Sequence, residues 1–162
     1  MKNFRIVVGA DFIGYSLKEK LKNYLENDPR VTKVIDIGVL TEDDKNDYPN
    51  IGFELAKTIA ANQADRGLLI CGTGIGMAIS ANKVAGIRAA TTHDPYSLER
   101  AILSNNAQVI TMGSRIIAPE LALRLIIPWL DYEFDENGAS CTKVARINEL
   151  ERQQLETGEL DG

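Results

Sequence analysis

A thiol set directly before alternate glycines is the part of this chain best suited to chemistry. In LLICGTGIGMAISANK (68–83), Cys71 closes an aliphatic run, and Gly72, Thr73, Gly74, Ile75 and Gly76 follow before a helix-like segment begins. A glycine-rich turn from a strand into a helix exposes backbone N–H groups, and the helix dipole adds positive potential at that point. Glycines there can take positive φ and let a ligand approach the backbone. The same potential favours the deprotonated form of a thiol. A thiolate and a cluster of N–H donors suit proton abstraction beside a carbonyl, the thiolate taking the proton while the donors hold the enediolate oxygen. Each part also has a plainer reading. The glycines can make a tight turn, and a lone cysteine at a strand end can be a small buried apolar side chain. The spacing is not G-x-G-x-x-G, and no Lys-Ser/Thr pair closes a phosphate loop, so a nucleotide site lacks its signature.

Such a turn must be held by a strand before it and a helix after it, and the rest of the chain repeats that pair. Short aliphatic runs occur at 4–9, 31–38, 66–72, 87–92 and 107–113, each ending near glycine or a polar turn residue. Helix-like segments lie between them at 15–26, 51–61, 75–84, 96–104 and 120–130. Asp94-Pro95 supplies a cap and a first-turn proline for the fourth, and Pro119 opens the fifth. Five βα units in succession predict an α/β protein, a parallel sheet with helices on both faces, and one domain over 1–162. Ligands bind such sheets beyond the carboxyl ends of the strands. That rule gathers residues 9–14, 71–76, His93 and 113–115 on one rim. A last helix over about 142–155 carries Val144, Ile147 and Leu150, an apolar set that needs its own sheet or a second subunit to cover it.

Composition narrows the class. The 162 residues are 44% hydrophobic and 25% charged, with net charge −5 and no basic run, so a nucleic-acid groove has no electrostatic support. The N-terminal apolar run is too short for a signal-peptide core, and no segment reaches the ~20 apolar residues of a membrane span. The two cysteines, Cys71 and Cys141, are far apart, and one histidine, His93, does not make a zinc site. The expectation is a reduced, cytoplasmic protein that uses no metal.

The segments VVGADFIG (7–14), DYP (47–49), CGTGIGMAISANK (71–83), GIRAA (86–90), DPYS (94–97), NNAQVITMGSR (105–115) and ARINELE (145–151) together resemble the ribose-5-phosphate isomerase B and galactose-6-phosphate isomerase family. The resemblance runs over about residues 4–151. It implies a Rossmann-like three-layer α/β/α sandwich with a five-stranded parallel sheet. It also implies a homodimer or tetramer of dimers with sites at the subunit interface, the C-terminal helix packing on the partner. The implied reaction is aldose–ketose isomerisation of a phosphosugar, ribose 5-phosphate to ribulose 5-phosphate, without metal or organic cofactor. On this resemblance Cys71 is the base, Gly72, Gly74, Ile75 and Gly76 the enediolate cradle, and the Thr73 hydroxyl lies beside the sugar. Asp11 and Tyr48 bind sugar hydroxyls, Asn105 reaches across the interface, and Arg115 with Arg146 or Lys143 binds phosphate. Asp11 also reads as a helix cap.

Two positions depart from the family. Phe12 stands where the first loop usually has histidine, and Ser104 stands where the ring-opening histidine precedes Asn105. Serine has no group titrating near neutrality and is a poor substitute for imidazole. His93 is the remaining candidate for that task, with a surface or capping role as the alternative. A four-carbon sugar phosphorylated on oxygen 4 cannot close a furanose ring and needs no ring opener. Phe12 also shortens and dries one end of a pocket. Erythrose or erythrulose 4-phosphate is therefore the alternative substrate, and a phosphosugar-binding protein without turnover is the rival of another class.

Overall fold

The computed structural model describes residues 3–41 and 43–157. All five aliphatic runs become strands: β1 (Phe4–Ala10), β2 (Val31–Asp36), β3 (Arg66–Cys71), β4 (Ala89–Thr91) and β5 (Val109–Gly113). Between and after them run α1 (Tyr15–Asn27), α2 (Tyr48–Ala60), α3 (Ile75–Ala81), α4 (Pro95–Leu103), α5 (Pro119–Trp129) and α6 (Cys141–Thr157). The strands form one parallel sheet in the order β2-β1-β3-β5-β4. Successive strand residues point to opposite faces. Ile6, Val8, Ala10, Leu68, Ile70, Ile110 and Met112 accordingly pack under α1, α4 and α5. Val7, Leu69, Cys71 and Val109 pack under α2 and α3. Burial on both faces is why the central strands read as unbroken apolar runs.

The expected helix boundaries shift at two places that matter. The second helix starts at Tyr48 rather than residue 51, because Asp47 is extended and Pro49 fits the first turn. The third ends at Ala81 rather than residue 84. Asn82 instead turns its amide onto the edge strand, accepting from the Ala89 N–H (2.7 Å) and donating to the Ala89 carbonyl (2.9 Å). That pairing covers backbone groups an edge strand otherwise leaves open. Asp94 caps α4 by accepting the Ser97 N–H (2.8 Å), and Pro119 opens α5, both as expected.

Two buried cations fasten connections to this frame. The Lys18 ammonium, fully buried in α1, donates to both oxygens of Asp36 and to the Val39 carbonyl (2.9 Å), fixing the start of the segment that leads to Tyr48. At the other end of the sheet Arg66 donates to the carbonyls of Trp129 and Tyr132 and stacks 4.4 Å from the centre of the Phe4 ring. Burial pushes that guanidinium down to about 10. The last helix spans two residues more at its C-terminal end and one more at its N-terminal end than the expected 142–155. It buries Val144 and is tied to its own chain by Glu151, which accepts the Gly86 N–H, and by Asn148, which accepts from Arg88. Ile147 and Leu150 stay about half exposed.

Candidate active site

The chain leaves β1 for β2 on one side and then crosses to β3 on the other, so the strand order reverses between β1 and β3. That crevice is where open α/β sheets bind ligands. Ala10 pairs with Ile70, which sets Asp11 and Cys71 at the next positions of neighbouring strands, about 4.8 Å apart in backbone spacing. A cleft of about 420 Å³ opens above them, lined by Asp11, Ile13, Tyr48, Cys71 to Thr73, Ile75, Gly76 and Ile79. The end of β5 backs the Cys71 turn. There the Ser114 N–H donates to the Cys71 carbonyl (2.8 Å), the Arg115 N–H to the Gly72 carbonyl (3.1 Å), and the Ser114 hydroxyl to the Ile13 carbonyl (3.0 Å). The expected rim is therefore a single hydrogen-bonded structure.

Within it, the Gly74 N–H donates to Cys71 Sγ (3.1 Å), and the Ile75 N–H donates to Thr73 Oγ1 (3.3 Å). Of the three loop glycines that could take positive φ, Gly74 alone does so (+80°). Gly74 lies so close to the Met112 backbone that a Cβ there would sit 2.9 Å from a main-chain carbon. From the other side, a Cβ on Gly113 would come within 2.5 Å of Thr73 Cα. The turn is thus seated main chain against main chain.

Helix α2 delivers Tyr48. Tyr48 and Gly52 are one turn apart and share a face. Gly52 packs against Ser80 and the Met77 carbonyl, and the Tyr48 ring lies on Gly76. Asp11 is buried, and its carboxylate accepts the Gly14 N–H (2.9 Å). The residue at the cap position of α1 is Gly14, so Asp11 supports the turn before the helix without being its cap. The Arg115 side chain lies over Gly72 at the cleft edge and is exposed. Phe12 is half exposed beside Asp11 and does not line the cleft.

His93 is drawn away from the role considered for it. Its Nε2 accepts the Gly113 N–H (2.8 Å), and it is not among the cleft residues. That bond requires an unprotonated Nε2, and burial of the ring lowers its affinity for a proton despite Asp94 next to it. A depressed folded-state value means that the unfolded chain takes up the proton first. The contribution of this contact is full above about pH 6.5 and is lost as pH falls through the folded value. Urea unfolding at pH 7.5 and 5.5 is expected to show the wild type losing more stability on acidification than His93→Gln. Equal losses would remove the contact from the account.

The remaining sequence candidates lie elsewhere in the same chain. Ser104 ends α4 and accepts from Arg100 (3.2 Å), while Asn105 donates to the Arg100 carbonyl (2.9 Å). Asn105 lines a separate groove with Asn82, Arg88 and Ile147, at the amino ends of the strands. One full strand length, roughly 17 Å, separates that end from Cys71. Lys143 and Arg146 are exposed on α6 and are not cleft residues. Ile13 falls inside the expected rim segment 9–14 without having been singled out, and Ile79 was not foreseen. The latter had a legible signal, since Ile75 and Ile79 are an i, i+4 apolar pair on the outer face of α3, each 57% exposed.

Comparison with known proteins gives this cleft its setting. Residues 6–147 match the family described as Ribose/Galactose Isomerase. The chain is 53% identical over 143 residues to D-erythrulose-4-phosphate isomerase 2 of Mycolicibacterium smegmatis, covering 88% of this chain and 94% of that one. It is 45% identical over 148 residues to Ribose-5-P isomerase B of Listeria innocua, covering 91% and 97%. The solved ribose-5-phosphate isomerase B of Clostridium thermocellum superposes with a TM-score of 0.86 at 36% identity, over 92% of this chain and 98% of that one. Among the described residues no helix is long and apolar enough to cross a membrane. The chain belongs to the Ribose/Galactose Isomerase family and is an aldose–ketose isomerase of phosphorylated sugars.

Proposed function

We propose that the chain interconverts D-erythrulose 4-phosphate and D-erythrose 4-phosphate, with Cys71 as the base. Cys71 Sγ takes the proton from the carbon beside the carbonyl and returns it to the neighbouring carbon. The carbonyl oxygen becomes an enediolate oxygen facing the N–H groups of residues 72–76, of which those of Ile75 and Gly76, in the first turn of α3, have no helical acceptor and that of Ile75 rests on Thr73 Oγ1. The Thr73 hydroxyl serves the accompanying exchange of a proton between the two oxygens. Asp11 and Tyr48 orient sugar hydroxyls, and Arg115, lying over Gly72, holds phosphate.

The observation that carries the choice of sugar is the fate of His93. The chain has one histidine, and its acceptor nitrogen is bound to the Gly113 N–H outside the cleft. A pentose 5-phosphate closes a five-membered ring through oxygen 4 and gains from an acid–base group that opens it. A tetrose 4-phosphate has that oxygen esterified and stays open. The similarity to a D-erythrulose-4-phosphate isomerase supports the same reading.

Asn105 and one of Lys143 or Arg146 enter this cleft from a second copy of the chain. Their distance from Cys71 within one copy supports this, as do the exposed Ile75, Ile79 and Phe53 around α2 and α3.

Proton NMR in D₂O follows deuterium entry at the carbon beside the carbonyl. Erythrulose 4-phosphate is expected to exchange at least about tenfold faster in kcat/KM than ribose 5-phosphate, the order of one lost polar contact in a specific site. Faster turnover of the pentose would overturn the four-carbon assignment and leave the family's pentose reaction as the function.

A further inference from the structure

A pair of threonines lies beneath the cleft. β4 and β5 pair Thr91 with Thr111, on the sheet face that carries Leu69 and Val109. Thr111 is fully buried, and its hydroxyl donates to the Gly74 carbonyl at 2.8 Å. The Thr91 hydroxyl lies 2.9 Å from Thr111 Oγ1 and 3.4 Å from the same carbonyl. A hydroxyl has one proton to give. With that of Thr111 directed to Gly74, Thr91 donates to Thr111, and the two form a short relay ending on the loop. The Gly74 carbonyl also accepts the Ala78 N–H (3.1 Å), so both of its lone pairs are engaged.

We propose that Thr111, backed by Thr91, is a positioning residue that sets the Gly74–Ile75 peptide of the enediolate cradle. The peptide is planar and trans, so its N–H points opposite its carbonyl. Holding the Gly74 carbonyl down on β5 turns the Ile75 N–H up towards the cleft that Ile75 and Thr73 line, where it donates to Thr73 Oγ1 (3.3 Å) and can pass to a substrate oxygen. Gly74 at φ +80° has no side chain of its own to fix this plane, and the helix bond to Ala78 alone leaves one lone pair without a donor. A hydroxyl in the middle of an aliphatic strand interior is otherwise poorly placed, since burying it has a cost that only a hydrogen bond offsets. The inference rests on the isomerase reading for its consequence in catalysis, and on the structure alone for the clamp.

Two measurements on the full chain separate these. Without substrate, ¹H–¹⁵N NMR reads the clamp itself. Thr111→Val is expected to move the amide signals of residues 74–76 and speed exchange of the Ile75 amide, and Thr111→Ser to restore both. Unchanged signals at 74–76 in Thr111→Val overturn the proposal, whatever the protein isomerises. With substrate, Thr111→Val is expected to lower kcat by roughly 10- to 100-fold with KM within about twofold, as a small misplacement of a catalytic donor does. Thr111→Ser is expected to recover most of that rate. Thr91→Val alone is expected to have a smaller effect, and the double variant the largest, because Thr91 can swing to the carbonyl when Thr111 lacks its hydroxyl. A rise in KM at constant kcat, or failure of serine to rescue, overturns the role. A wild type that turns over neither sugar sinks the isomerase reading and leaves the NMR result to decide the clamp.

Discussion

Cys71→Ala is expected to lower turnover by roughly 10²- to 10⁴-fold, the range contributed by a positioned acid–base group. The sulfur is almost fully buried at the end of β3, and the Gly74 N–H aimed at it belongs to the loop that also lines the cleft. Removing it takes away the proton acceptor and frees the Gly74 N–H, while the main-chain seating of the loop on β5 remains. The stability cost is expected to be about 1–2 kcal/mol, because the atom lost is small and next to an open cleft. Solvent exchange at the substrate carbon, followed by NMR beside a urea melt, separates the two effects. Folded protein that keeps turnover within about tenfold of wild type would assign the base to another residue. A wild type that binds sugar phosphate with no turnover to lose would favour the binding protein instead.

The second large effect concerns subunits. Cys71→Ala and Asn105→Ala are each expected to be nearly inactive alone, Asn105→Ala by about 10²-fold through lost substrate orientation. Mixed under conditions that exchange subunits, they are expected to recover about a quarter of wild-type activity. Random pairing makes half the dimers mixed, and each mixed dimer has one site with both residues intact. Cys71 stands at the carboxyl end of β3, while Asn105 lines a groove at the amino end of β5, beside Arg88 and Ile147. No side chain spans that strand length. Activity that stays at the sum of the two variants would place Asn105 outside the site.

Much of the architecture was legible in the chain because the physics that sets it is local. Buried parallel strands need aliphatic runs, helix starts need caps and prolines, and glycine runs mark the turns, so the five strands and the rim at their carboxyl ends follow from residue order. The sheet order was not legible, since every parallel crossover has a similar sequence whichever neighbour it reaches. That order decides that β5 rather than β4 flanks β3, and so which strand supports the Cys71 loop. The end of α3 was misplaced because Asn82 spends its amide on the β4 backbone, a long-range pairing that helix periodicity does not register. The same blindness hid Thr91 and Thr111. Each reads as an ordinary β-branched strand residue until the strands are paired and the two hydroxyls meet below Gly74. The placement of the candidate residues on the rim was legible because one topological rule collects them. Asn105, Lys143 and Arg146 rest on family resemblance alone, and one copy of the chain leaves them outside the cleft.

The main-chain seating of the Cys71 turn has a consequence for descent with modification. Because Gly113 meets Thr73 and Gly74 meets Met112 backbone to backbone, the geometry of the turn proposed to serve proton transfer is stored in atoms that every residue type shares. Mutation can therefore exchange side chains around the turn, as Phe12 beside Asp11 illustrates, without disturbing that seating. Such a scaffold can diversify its sugars by small steps and keep its chemistry, with the glycines as the positions least free to drift.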